Sequence, residues 1–137
     1  MTIITTNTGD PVAPVRQRPP ATAVAAGALS VLVAGVGGYG AVYFSGLEGW
    51  TGMTQTYVVT YAATSLFGLV AAIALVFGRG ETRSAGRRGV LCYAIWLVGF
   101  SVFKMLRFQE WEAATFGVAG LVILALAVAA PSRRWAR

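Results

Sequence analysis

The stretch GVGGYG, at residues 35–40, carries its glycines at the spacing of a dinucleotide-binding turn. In such a turn the backbone approaches a pyrophosphate between a strand and a helix, and an acidic residue about 20 positions later holds the ribose. Here the stretch lies inside a long apolar run, and the next acidic residues, Glu48 and Glu81, come too soon and too late. The glycines therefore favour close helix packing, and no nucleotide site is predicted.

Few other residues could carry catalytic or metal chemistry. The sequence has no histidine, which excludes Ser–His and Cys–His nucleophile pairs, histidine-ligated haem and most catalytic zinc sites. Its one cysteine, Cys92, lies in an apolar stretch and is interpreted as a small buried hydrophobic residue. We therefore predict no catalytic residue, no metal ligand, no cofactor and no small-molecule substrate.

The composition is that of a membrane protein. Of the 137 residues, 56% are hydrophobic and 12% are charged, about half the charged fraction of a typical soluble domain. Four apolar runs are long enough to cross a bilayer as helices, which takes ~20 residues, and none alternates with the period of a strand. The runs cover about Ala21–Ser45, Thr54–Gly78, Gly89–Arg107 and Ala113–Ala130. We predict an all-α, four-helix transmembrane domain over residues 21–130.

Two short polar segments flank this domain. Residues 1–20 are polar and rich in proline. They do not have the arrangement of a signal peptide, in which basic residues are followed by an apolar core. An extended tail without regular structure of its own is predicted there. Residues 131–137, PSRRWAR, form a basic tail that begins at a proline.

The arginines predict how the four helices are oriented. Nine of the 11 basic residues fall in the two tails and the middle loop, on one side of the membrane. They are Arg16, Arg18, Arg79, Arg83, Arg87, Arg88, Arg133, Arg134 and Arg137. The positive-inside rule assigns this side to the cytoplasm, and four spans require both termini to share it. The net charge of +6 thus needs no nucleic-acid partner.

Small residues recur every four positions in the first two spans. In the first they are Ala26, Ser30, Ala34 and Gly38, and in the second Thr60, Thr64, Gly68 and Ala72. Lipid gives helices no hydrophobic reason to associate, so small side chains that permit close approach favour helix packing. The spacing leaves open whether these faces pack within the chain or against another protein.

The end of the third span carries the charged residues closest to the membrane interior. Lys104 is expected near the outer interface, with its stem extending outward. Arg107 and Glu110 are three residues apart and could pair on one helix face if the helix continues. With Trp111 they indicate either an anchoring belt at the interface or a surface that docks a partner or an anionic lipid.

The Ala/Val/Gly/Arg-rich composition is typical of a high-GC bacterial genome. The chain also has a basic, proline-rich N-terminal segment, PVAPVRQRPP, four short-looped spans and the charged segment FKMLRFQEWE at the end of the third span. With these features the whole chain resembles the small accessory subunits of the actinobacterial respiratory supercomplex, which joins cytochrome bc to cytochrome c oxidase. The resemblance implies a subunit of the bacterial plasma membrane that packs against other integral-membrane subunits and has no redox centre of its own.

A homo-oligomeric membrane pore or transporter is the alternative. The repeated small faces could serve self-association, although the spans offer no polar stripe or ionisable group for a pore wall.

Overall fold

The computed structural model describes residues 18–46 and 51–137, and these parts of the chain are almost entirely helical, without a strand. Within them lie α1 Ala21–Ser45, α2 Gly52–Phe77, α3 Glu81–Phe108, a 3-10 turn Trp111–Ala113, α4 Ala114–Val128 and α5 Ala130–Trp135. The all-α prediction is therefore confirmed. The predicted tail up to residue 17, with Arg16, lies outside the described residues, as does Glu48.

Four segments are long and apolar enough to cross a membrane: α1, α2, α3 and the 3-10 turn together with α4. Between 22% and 39% of their most apolar stretches is buried inside the bundle. Large apolar side chains such as Leu32, Leu66 and Leu106 cover the outside. Soluble proteins rarely expose so much contiguous apolar surface. Because this surface requires lipid as its solvent, the chain is a multi-pass membrane protein.

The four long helices form an antiparallel bundle. Sequence neighbours pack together, α1 on α2, α2 on α3 and α3 on α4, while α4 returns to contact α1. The core residues are buried side chains of α2, α3 and α4, among them Leu75, Val90, Tyr93, Leu97 and Ile123. Alanines of α1, including Ala23 and Ala26, complete the core.

The two ends of the bundle differ in charge. The start of α1, the α2–α3 junction and α5 lie together at what we call the basic end, which carries all the described arginines except Arg107. The α3–α4 junction lies at the other end, which we call the Glu110 end. We call residues 107–113, which run from the last two residues of α3 to the end of the 3-10 turn, the Glu110 turn.

Two helix boundaries differ from the sequence prediction. The third helix begins at Glu81, well before the predicted Gly89, because the arginine-rich segment continues the helix. Glu81 lies in its first turn, where a negative charge is favoured by the helix dipole. The basic tail contains a helix of its own: Pro131 lies in the first turn of α5, a position that tolerates proline.

Candidate functional site

Small residues bring α1 and α2 into close contact. Three of the four packing positions predicted on α1, Ala26, Ser30 and Ala34, are buried. The Ser30 hydroxyl donates a 2.8 Å hydrogen bond to the carbonyl oxygen of Ala26, so this polar group is satisfied within its own helix. These positions therefore pack inside the chain.

Gly38 takes no part in this contact within the chain, and Gly37 lies in it instead. A Cβ atom on Gly37 would lie 2.5 Å from the hydroxyl oxygen of Ser65 on α2, whereas one on Gly38 would meet no atom within 4 Å. With 3.6 residues per turn, each step of four residues rotates the face by about 40°, so Gly38 lies about 120° around the helix from Ala26. A four-residue repeat thus drifts out of the contact.

On α2 the four predicted packing positions divide into two pairs. Gly68 and Ala72 are buried, and a Cβ atom on Gly68 would lie 2.6 Å from the ring of Tyr93 on α3. Thr60 and Thr64 are half-buried, and the Thr64 hydroxyl donates a 2.6 Å hydrogen bond to the carbonyl oxygen of Thr60. The two threonines line a small cavity of the bundle.

Lys104 forms the centre of a polar cluster at the Glu110 end. Its Nζ lies 2.5 Å from Oε2 of Glu110 and 3.4 Å from the hydroxyl oxygen of Tyr61 on α2. It also lies 5.8 Å from the centre of the Phe100 ring. The Lys104 side chain is only 13% exposed, so it does not extend outward as expected. Side chains of a helix lean towards its N-terminus, and in α3 that direction leads into the bundle.

The expected pairing of Arg107 with Glu110 is also replaced. The helix does not continue: α3 ends at Phe108, and Gln109 adopts a left-handed conformation with φ of 57°. This residue reverses the chain and brings Glu110 back over Lys104 instead. The guanidinium of Arg107 is left beside the Phe108 ring, 5.7 Å from its centre.

The Glu110 turn is held at two points and displays two large side chains. The Lys104–Glu110 ion pair fixes its middle. The buried hydroxyl of Ser101 fixes its end, with a 2.5 Å hydrogen bond to the carbonyl oxygen of Ala113. Trp111, between these points, is 75% exposed, and Arg107 is exposed at the start of the turn. The structure thus brings together Lys104 and Glu110 and leaves Arg107 and Trp111 facing outward.

Two of the cavities that the Phe100 ring lines also contact polar side chains of the candidate site. One, of about 30 Å³, is lined in part by Thr64 and Ser65 and is large enough for a single water molecule. The other, of about 140 Å³, lies beneath the Glu110 turn and is lined in part by Lys104 and Glu112. Both can hold water beside polar groups near the Glu110 end of the bundle.

A cluster at the basic end was missed by the sequence reasoning. The indole Nε1 of Trp135 donates a 3.2 Å hydrogen bond to the carbonyl oxygen of Leu75 on α2. The guanidinium of Arg83 lies 3.7 Å above the Trp135 ring, and the Ser132 hydroxyl donates to the hydroxyl oxygen of Thr22 on α1. We call this arrangement the α5 clasp, because it joins α5 to α1, α2 and α3. Pro131, a residue favoured at the start of a helix, was the available signal.

Arginines of α3 also bond the carbonyl groups left unpaired at the ends of other helices. The Nε of Arg83 donates to the carbonyl oxygen of Gly78 at 2.9 Å, and the Nε of Arg87 donates to that of Ala127 at 3.0 Å. Positive side chains are favoured at helix C-termini, where the last carbonyl groups lack partners. These bonds explain how the arginine-rich segment remains helical and packed.

Within residues 18–46 and 51–137, no three His, Cys, Asp or Glu side chains come close enough together to hold a metal ion. Cys92, interpreted as buried, is exposed on the outer surface of α3 among apolar neighbours, because the helix turns it away from the core. Comparison of the chain with protein-family models, curated proteins and solved structures finds no match. Its function is therefore argued from its own residues.

Proposed function

We propose that this chain is a non-catalytic subunit of a multi-subunit membrane complex, where it contributes to assembly or stability. The Glu110 turn is the observation that carries this proposal. It is held by the Lys104–Glu110 pair and the Ser101 hydrogen bond, and it displays Arg107 and a Trp111 side chain that is 75% exposed. Tryptophan and arginine dominate the energetics of protein interfaces, and a surface held rigid before binding loses less entropy on docking.

The use of charge inside the bundle supports the same proposal. Lys104 lies four residues before the end of α3, and its ammonium group is engaged by Glu110 and Tyr61. Its charge serves to hold the Glu110 turn. The alternative, a homo-oligomeric pore or transporter, drew its support from the small-residue faces. Ala26, Ser30 and Gly68 of those faces are occupied by packing within the chain, which weakens that support.

The finer identity of the complex rests on the whole-chain resemblance to accessory subunits of the respiratory cytochrome c oxidase supercomplex. In this proposal the chain lies in the bacterial plasma membrane beside other integral-membrane subunits. The positive-inside rule then assigns the basic end to the cytoplasm, with both termini, and the Glu110 turn to the outer side.

Purification in mild detergent, followed by mass spectrometry of what co-purifies, tests the proposal. We expect stoichiometric membrane subunits, among them oxidase subunits. The double variant Arg107→Ala, Trp111→Ala should reduce their recovery several-fold. Met53→Ala is the matched control, because Met53 is a similarly exposed apolar residue near the same end on α2. Recovery of the wild-type chain without any partner would refute the proposal, and ion flux through liposomes holding only this chain would favour the pore.

A further inference from the structure

A long apolar groove runs along the outer side of the α1–α2 contact. It has two adjoining parts, of about 210 and 350 Å³, which share Val31. The first is lined in part by Val24, Ala28 and Phe77, and the second in part by Gly38, Leu66 and Leu69. From position 24 to position 38, at 1.5 Å of rise per residue, the groove is about 21 Å long. We call it the lipid-facing groove.

The register between α1 and α2 places one end of this groove at the basic end of the bundle. A Cβ atom on Gly27 would lie 2.8 Å from Cγ2 of Val76. Because the helices are antiparallel, Val24 is then level with the last residues of α2. One leaflet contributes about 15 Å of the ~30 Å hydrocarbon core, so the groove extends from the basic end through one leaflet and slightly beyond the bilayer centre.

Two arginines lie close along the chain to the start of α1 and the end of α2, which form what we call the mouth of the groove. Arg79 follows Phe77, the last residue of α2, by two positions, and Arg18 precedes the start of α1 by three. Both are exposed, and neither forms an ion pair among the described residues. Glu81 is the one described acidic residue at this end, so the mouth carries a net positive charge. Arg83 and Arg87, by contrast, are already engaged, because their Nε–H groups donate to the carbonyl oxygens of Gly78 and Ala127.

We infer that the lipid-facing groove binds one acyl chain of an anionic phospholipid, whose phosphate group pairs with Arg79 and Arg18. The apolar walls match an acyl chain in composition and in length, and the position of the arginines matches the depth of a headgroup. Guanidinium groups bind phosphate through paired N–H···O bonds, and the negative charge of the lipid complements the basic mouth. This site lies at the opposite end from the Glu110 turn, so it does not depend on the proposed function.

Native mass spectrometry of the full-length protein tests the inference. The protein is released from mixed micelles that contain equal amounts of phosphatidylglycerol and phosphatidylcholine with the same acyl chains. We expect one tightly retained lipid, with phosphatidylglycerol favoured. A single basic residue near the membrane surface is worth about 1 kcal/mol of attraction, so Arg79→Gln and Arg18→Gln should each weaken this preference about fivefold. Arg134→Gln, which removes an exposed arginine on α5, is the control and should leave it unchanged.

A second pair of variants tests the groove itself. Ala28→Leu places a larger side chain in the groove, whereas Ala25→Leu places it at an exposed position of α1 outside it. We expect retained lipid to fall several-fold only for Ala28→Leu. Soluble glycerol phosphate should fail to compete, which separates a lipid from a free phosphate.

Three results would overturn the inference. The first is equal retention of the two lipids with no effect of Arg79→Gln, and the second is competition by glycerol phosphate as strong as by phosphatidylglycerol. The third is an Ala28→Leu variant that keeps its lipid but loses a co-purifying membrane protein, because the groove would then receive a partner helix.

Discussion

Replacing Gly86 with alanine should destabilise the bundle strongly, because it inserts a methyl group where α3 meets the backbone of α2. A Cβ atom on Gly86 would lie 2.5 Å from the carbonyl carbon of Ala74 and 2.8 Å from its Cβ, and would also meet the backbone nitrogen of Leu75. Backbone atoms cannot rotate aside as a flexible side chain can. The two helices must therefore move apart to admit the methyl group.

The size of the effect follows from two opposing contributions. Alanine is favoured over glycine inside a helix by about 1 kcal/mol, which alone would stabilise the variant. Forcing an extra carbon into a packed contact costs ~1–3 kcal/mol, and contact with backbone atoms places Gly86 at the upper part of that range. The net expectation is a loss of about 2 kcal/mol. Gly99 is the matched control on the same helix: no atom lies within 4 Å of its Cβ position, so Gly99→Ala should be neutral or slightly stabilising.

The difference in the free energy of unfolding between the two variants can be measured in mixed micelles. A denaturing detergent is titrated in, and unfolding is followed by circular dichroism. The free energy of unfolding should rank Gly99→Ala at or above wild type and Gly86→Ala below both. Equal stability of the two variants would show that α2 and α3 do not approach as closely as described, and the reasoning would fail.

Three further predictions follow from other contacts. Glu110→Gln should lower the free energy of unfolding by about 1 kcal/mol, and the amount is modest because Glu110 is 48% exposed. The same variant should increase proteolysis at the Glu110 turn. Glu112→Gln is the control and should change neither the stability nor the proteolysis. Gly37→Leu should destabilise the α1–α2 contact by ~1–3 kcal/mol, whereas Gly38→Leu should be tolerated. Thermal unfolding measures both variants, and a less stable Gly38→Leu variant would contradict the placement of Gly37 in the α1–α2 contact. In intact cells, with Cys92 replaced, Ser84→Cys should not react with a membrane-impermeant thiol reagent, because we expect the basic end to face the cytoplasm. Labelling of Ser84→Cys from outside the cell would contradict that orientation.

The four spans could be predicted from the sequence because each depends only on local composition and length. The first, Ala21–Ser45, agrees with α1 at both ends. The start of α3 could not be predicted in this way. Hydropathy detects only the apolar part of a helix, and the arginine-rich part is held by bonds such as that from Arg87 to Ala127, 40 residues away. Such distant partners leave no signal in a local window.

At the α3–α4 junction the sequence indicates where four residues lie but not how they pair, and their docking role stays a prediction. Lys104, Arg107, Glu110 and Trp111 do surround the α3–α4 junction. The partner of Glu110 depends on the left-handed conformation of Gln109, and glutamine is not a residue that favours this conformation. Gly38 lies outside the α1–α2 contact for a simpler reason, because a repeat of four residues does not match a period of 3.6.

The α5 clasp has a consequence for the order in which the protein is made. The hydrogen bond from Ser132 to Thr22 joins residues 110 positions apart, so the start of the first helix cannot form this bond until residue 132 has been synthesised. Until then the carbonyl oxygen of Leu75 lacks the Trp135 indole that it later receives. Synthesis of residues 132–135 therefore determines when these bonds can close the basic end, and a ribosome that stalls before them leaves four helices without the α5 clasp.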